Sequence, residues 1–155
     1  MFKTTMTFKD YDGNSRTEDF YFNLDVDELA KFQLSTSGGL DVYVNRILAA
    51  QDTPTIIKVF EEIIDISYGI KSDDGKYFRK SPEILADFKA TKAYSQLYYK
   101  LGTDDKFAAE FINGILPPKE EIEAAKQLEA AQKKDGNTVP FQPQDHLKPG
   151  GNNNK

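Results

Sequence analysis

The amino-acid sequence predicts an α+β fold: mainly α, with a small N-terminal β-hairpin, a compact helical domain and a flexible C-terminal tail. Three observations carry that expectation. Residues 1–24 alternate apolar and polar side chains, residues 25–116 repeat apolar side chains at helical spacing, and the residues after Gly136 combine Pro, Gly, Asn and Gln with almost no core formers. A chain of 155 residues with 39% apolar side chains supports one core and is short for two.

In the first strand Phe2, Thr4, Met6 and Phe8 alternate with Lys3, Thr5, Thr7 and Lys9, and in its partner Phe20, Phe22 and Leu24 alternate with Asp19, Tyr21 and Asn23. Tyr11-Asp12-Gly13-Asn14 between them supplies residues that tolerate positive φ in a tight connection. A two-stranded ribbon with one apolar face needs helices to lie on. Asp25 with Glu28 predicts a helix start of the capping-box type, with Leu24 and Leu29 at the two hydrophobic-staple positions.

Gly38-Gly39 breaks this first short helix, and Leu40, Tyr43, Val44, Ile47 and Leu48 then predict a second with one apolar face. Thr53 as N-cap and Pro54 at the first helical position open a third. Its Ile56, Ile57, Val59, Phe60, Ile63, Ile64 and Ile66 cover most of the circumference, which predicts the central, buried helix. Gly69 ends it, and IKSDDGKYFRK reads as a loop or a small second hairpin turning at Asp74-Gly75. Ser81-Pro82 starts the next helical stretch, carrying Ile84, Leu85, Phe88, Leu97, Tyr98 and Leu101. The polar run Lys89-Ala90-Thr91-Lys92 makes it one helix or two, broken at Thr91. Gly102 and Thr103 stop it and cap the last body helix, where Phe107, Phe111, Ile112 and Ile115 share a face.

Pro117-Pro118 closes that pattern. PKEEIEAAKQLEAAQKK then forms helix readily but has only Ile122 and Leu128 as large apolar residues. The expected boundaries are therefore a helical body with its hairpin over 1–116, a solvent-exposed helix over 117–135 and a disordered tail over 136–155. The charge divides at the same point. Residues 117–155 hold six acids and six bases, so the net charge of −5 belongs to the body, with 19 acids against 14 bases.

Composition excludes several functions. Without cysteine there is no disulfide framework, thiolate nucleophile or zinc ribbon, and the lone His146, in the tail, cannot build a multi-histidine metal site. An acidic chain is a poor match for nucleic-acid phosphates. The amino terminus lacks the apolar core of a signal peptide and no stretch approaches the ~20 apolar residues that span a bilayer, so the expected setting is cytosolic. Asp10, Asp12 and Asn14 have the first spacings of a calcium loop, but Ser15 stands where such a loop needs Gly and Tyr21 where it needs a bidentate Glu. The same string contains the DxDG spacing of haloacid-dehalogenase phosphatases without the buried strand before it or the alternating βα pattern after it. Asp73-Asp74 and Glu61-Glu62 read as solvated faces. No phosphate loop, GxGxxG or GxSxG is present, and no catalytic, cofactor-binding or metal-ligating residues are assigned. Most of the eleven Phe and eight Tyr fit strand or helix faces and read as core, but Tyr98-Tyr99 and Phe20-Tyr21-Phe22 point both ways and leave some aromatic surface outward. The outward rings imply a protein-binding face.

Four strings in order, MTFKDYDGNSRTEDFYFNL, SYGIKSDDGKYFRKSPEI, ATKAYSQLYYKL and AAEFINGILP, resemble the tail assembly chaperones of long-tailed, siphovirus-type phages and prophages of Gram-positive bacteria, over residues 6–117. The resemblance implies a non-enzymatic, cofactor-free helical protein of the host cytoplasm, absent from the finished virion. It implies binding to the tape measure protein, which it keeps soluble, and recruitment of the tail tube protein through a longer form made by ribosomal frameshifting. It also implies a homo-oligomer on its partner, with no nucleic acid and no membrane. The candidates to lie against the partner's apolar stripe are Tyr43, Phe88, Tyr94, Tyr98 and Tyr99. The competing expectation of a different class is a structural head-tail connector or another small morphogenesis protein.

Overall fold

The computed structural model describes residues 1–35, residue 49 and residues 53–134. The expected helix over residues 40–48 with Tyr43, the Gly38-Gly39 break, and the tail with His146 lie outside the described residues. Four strands, β1 (Phe2–Lys9), β2 (Ser15–Phe22), β3 (Tyr68–Lys71) and β4 (Phe78–Arg79), form one antiparallel sheet in the order β1-β2-β3-β4. The described helices are α1 (Val26–Ser35), α2 (Thr53–Ser67), α3 (Pro82–Lys89), α4 (Lys92–Thr103), α5 (Asp105–Ile115) and α6 (Lys119–Lys134).

The N-terminal hairpin pairs Phe2 with Phe22 and Lys9 with Ser15, which puts Met6, Phe20 and Phe22 on the buried face and Lys3, Thr5 and Thr7 on the open one. Asp10 builds the turn. Its Oδ1 accepts the N–H groups of Asp12 (3.0 Å) and Asn14 (2.9 Å), its Oδ2 accepts Arg16 Nε at 2.8 Å, and Gly13 takes the positive φ of 86° that the reversal requires.

The second hairpin of residues 70–80 is present, but it belongs to the same sheet. Helix α2 stops at Ser67 rather than Gly69, and Tyr68 and Gly69 pair with Phe22 and Tyr21. Ser67 is buried and turns its hydroxyl back to Ile63 O at 2.6 Å, so it needs no outside partner. Gly69 is fixed by crowding: a Cβ there would lie 2.7 Å from Arg79 O and from the Phe78 ring.

The core lies between the sheet's inner face and helices α2 to α5. Phe22 stands 5.1 Å from Phe111 and 6.0 Å from Phe88, and Phe2 rests 5.2 Å from Phe111 (ring centroids), over Gly114, which has no Cβ to displace it. Helix α2 is not the all-round buried helix its apolar content predicts. Val59, Phe60, Ile63 and Ile64 are buried, Ile56, Ile57 and Ile66 are half-buried, and Lys58, Glu61 and Glu62 are exposed, so one side of the helix meets the core.

The helical stretch from Ser81 is two helices. Ser81 caps α3 by accepting Ile84 N–H at 3.2 Å, and Thr91 both ends that helix, donating to Phe88 O, and caps α4, accepting Tyr94 N–H. Helix α5 is capped by Asp104 at Phe107 N–H (3.0 Å) instead of by Thr103, whose hydroxyl bonds Tyr99 O within α4. At the start of α1 the Glu28 carboxylate reaches back to Asp25 N–H (2.9 Å), and Leu24 and Leu29 are both buried. Lys80 locks these parts together. Its Nζ donates to Asn23 O (2.6 Å), Ile66 O (3.0 Å) and both oxygens of Glu28 (2.7 and 2.6 Å), joining the chain after β4 to the starts and ends of β2, α1 and α2.

Helix α6 leans on the body beyond the buried Pro117. Ile122 is half-buried against the core edge near α1, whereas Leu128 is 66% exposed.

Candidate partner-binding surfaces

Helix α4 carries three of the five aromatic positions expected to meet a partner. Ala93, Leu97 and Leu101 point into the core, which a helical period requires to leave Tyr94 and Tyr98 at its margin and Tyr99 outward. Tyr99 is 73% exposed. Tyr98 lies 6.0 Å from Tyr94 (ring centroids), and Tyr94 packs edge-on to Phe88 at 5.5 Å. Burial raises the Tyr94 phenol above its ordinary range.

Phe88 does not reach the surface. It is 2% exposed, stacked on Tyr68 at 4.0 Å and enclosed by Phe20, Phe22 and Tyr94, and it serves as the hinge of the aromatic core. Helical spacing on α3 has this side chain facing the sheet, and only the packing of β2 and β3 reveals that the space beyond it is filled. Tyr43 lies outside the described residues.

Beside Tyr94, Lys89 bridges Asp65 (2.7 Å) and Glu61 (3.6 Å), tying α3 to α2. Burial works against the Lys89 ammonium, but its hydrogen bond and charge pairing with Asp65 prevail and raise its pKa. This trio is an ion-pair strut in which one ammonium serves two carboxylates.

A second surface, unforeseen in the sequence, is a half-open groove of about 600 Å³ where α6 crosses the body. Met1, Leu29, Leu116, Pro117, Pro118 and Ile122 form its apolar walls, and Lys119, Glu123 and Lys126 its rim. The groove arises because the two prolines redirect the chain at the end of α5, so α6 touches α1 mainly through Ile122 and leaves a trough. Its signal in the sequence is the single Ile122 facing away from Leu128 on an otherwise polar helix. Among the described residues no group of three or more His, Cys, Asp or Glu side chains is arranged to hold a metal, and no helix is long and apolar enough to cross a membrane.

The described residues thus form a small α+β domain with an outward Tyr99 and an apolar trough. A family model described as phage tail assembly chaperone matches residues 1–149, and the chain belongs to that family. No curated protein and no solved structure matches it.

Proposed function

We propose that the protein binds the tape measure protein in the host cytoplasm, holds it soluble during tail assembly, and does so by surface recognition without chemistry of its own. The observation that carries this reading is the family match across 149 of the 155 residues, joined to the apolar groove. A long amphipathic helix presents a repeating apolar stripe, and a half-open trough walled by Leu116, Pro117 and Ile122 suits one or two turns of such a stripe. Tyr98 and Tyr99 on α4 offer further aromatic contact. Each copy covers a short stretch, so many copies coat one partner, and the chain leaves before the virion is complete. Recruitment of tail tube protein through a longer frameshifted form, and a phage of the siphovirus type with a Gram-positive host, extend the same proposal.

Co-expression tests it. The tape measure protein encoded beside this chain is expected to become soluble and to co-purify with several copies of it, while Ile122→Glu weakens the rescue and Tyr99→Ala weakens it less. Equal solubility of the tape measure protein alone overturns the reading, and so does fixed-copy presence of this chain in purified virions by mass spectrometry, which is the behaviour of a head-tail connector.

A further inference from the structure

The β3–β4 hairpin and the outer face of α6 are complementary surfaces exposed on every copy. Residues 68–80 carry four bases and two acids, and although Lys80 is taken up by Glu28, the hairpin stays slightly basic on an acidic protein. The acids are at the tip, where Asp74 is held by Ser72 Oγ (2.6 Å) and Lys76 N–H (3.1 Å). On one face of the hairpin Ile70, opposite Arg79, and Tyr77, two residues before it, form an apolar pair that is 51% and 50% exposed. Lys76 and Arg79 stand over the Tyr77 ring at 5.1 and 5.7 Å, and among the described residues neither has a carboxylate within salt-bridge distance. Exposed Tyr and Arg beside an aliphatic side chain are the residue types that dominate binding energy at protein interfaces.

Helix α6 offers the inverse. At 100° per residue, Lys119, Lys126 and Lys133 fall on the side of Ile122, toward the body, while Glu120, Glu121 and Leu128 fall on the outward side, whose one base is Lys134 at the far end of the helix. Leu128 is the one large apolar residue of that side, and Glu120 and Glu121 are exposed like it.

We propose that copies of this chain associate head to tail, the outer face of α6 of one copy docking on the β3–β4 hairpin of the next, with Leu128 seated on Ile70 and Tyr77 and with Glu120 and Glu121 facing Arg79 and Lys76. The two surfaces differ, so the contact is heterologous and propagates into an open row instead of closing as a two-fold dimer. The row needs no other protein, and it leaves the groove beside Ile122 free. A contact this small is weak singly and gains strength when many copies lie on one template.

Sedimentation equilibrium of the full chain reads the association. Its weight-average mass is expected to climb with concentration past that of a dimer, and added salt to suppress the climb because the charges are exposed. Arg79→Glu, and separately Glu120→Lys with Glu121→Lys, are expected to weaken association at least tenfold, and the combined charge-swapped protein to regain it. All these side chains are exposed, and unchanged circular dichroism melting confirms intact folding. A chain that stays monomeric up to its solubility limit, a mass that levels off at a dimer, or a combined variant no stronger than either parent overturns the proposal. Since no tape measure protein is present, its failure or success is read separately from that of tape measure binding.

Discussion

Asp10 and Phe88 show how differently two residues of this chain can be tested. The Asp10 carboxyl is held below the usual carboxylate range by Arg16, then by the N–H of Asn14 and of Asp12. A depressed pKa means that the folded state prefers the charged form, so the stabilisation is complete above the ordinary Asp value and is lost as pH falls through the folded pKa. The melting temperatures of the wild type and of Asp10→Asn are therefore expected to differ at neutral pH and to converge in acid; a constant gap across pH would mean the carboxylate charge is immaterial. For Phe88→Ala the expectation is a loss of about 3–5 kcal/mol by denaturant unfolding, because a fully enclosed ring leaves a cavity among four aromatic neighbours. Tyr99→Ala, by contrast, is expected to change stability by less than about 0.5 kcal/mol, since its ring is mostly in water.

At the scale of elements, the junction around Lys80 and Gly69 holds the second hairpin to the first. Lys80→Met removes the donor to Glu28 and to two main-chain carbonyls, and the expected cost is about 1.5–3 kcal/mol, the range for hydrogen bonds to a charged group. Gly69→Ala has to push aside Arg79 O, which is main chain and cannot swing away, so a loss of about 1–3 kcal/mol is expected. In both variants amide exchange should quicken first in β3 and β4, while β1 and the first six residues of β2, which pair with β1 alone, keep their protection. Uniform exchange across the sheet would show that the hairpins unfold as one unit.

For the whole molecule, residues 1–116 are proposed to fold alone. The aromatic core of β1, β2 and α2 to α5 is complete by Ile115, whose carbonyl accepts Leu24 N–H at 2.8 Å. Helix α6 adds the half-buried Ile122 and little else to that core. Truncation after Leu116 is expected to lower the melting temperature by no more than a few degrees while abolishing rescue of the tape measure protein, because the groove loses a wall. A collapse of folding on truncation would instead make α6 part of the body.

Much of this was legible in the chain, for local reasons. The alternation of Phe2, Met6, Phe20 and Phe22, the Asp10–Asn14 turn, the Ser81-Pro82 start and the caution about Thr91 depend on neighbours a few residues away, and they hold in the folded protein. The family's ordered strings were legible too. Tertiary structure alone decided that α2 is one-sided, that the second hairpin joins the first sheet, that Phe88 is enclosed, and that the outward tyrosine of α4 is Tyr99. It also decided the groove beside Ile122, whose walls come from residues 1, 29 and 116–126. The physical reason is that caps, turns and periodicity are set by interactions within about one helical turn, whereas whether an apolar face ends buried or exposed depends on which distant segment arrives to cover it.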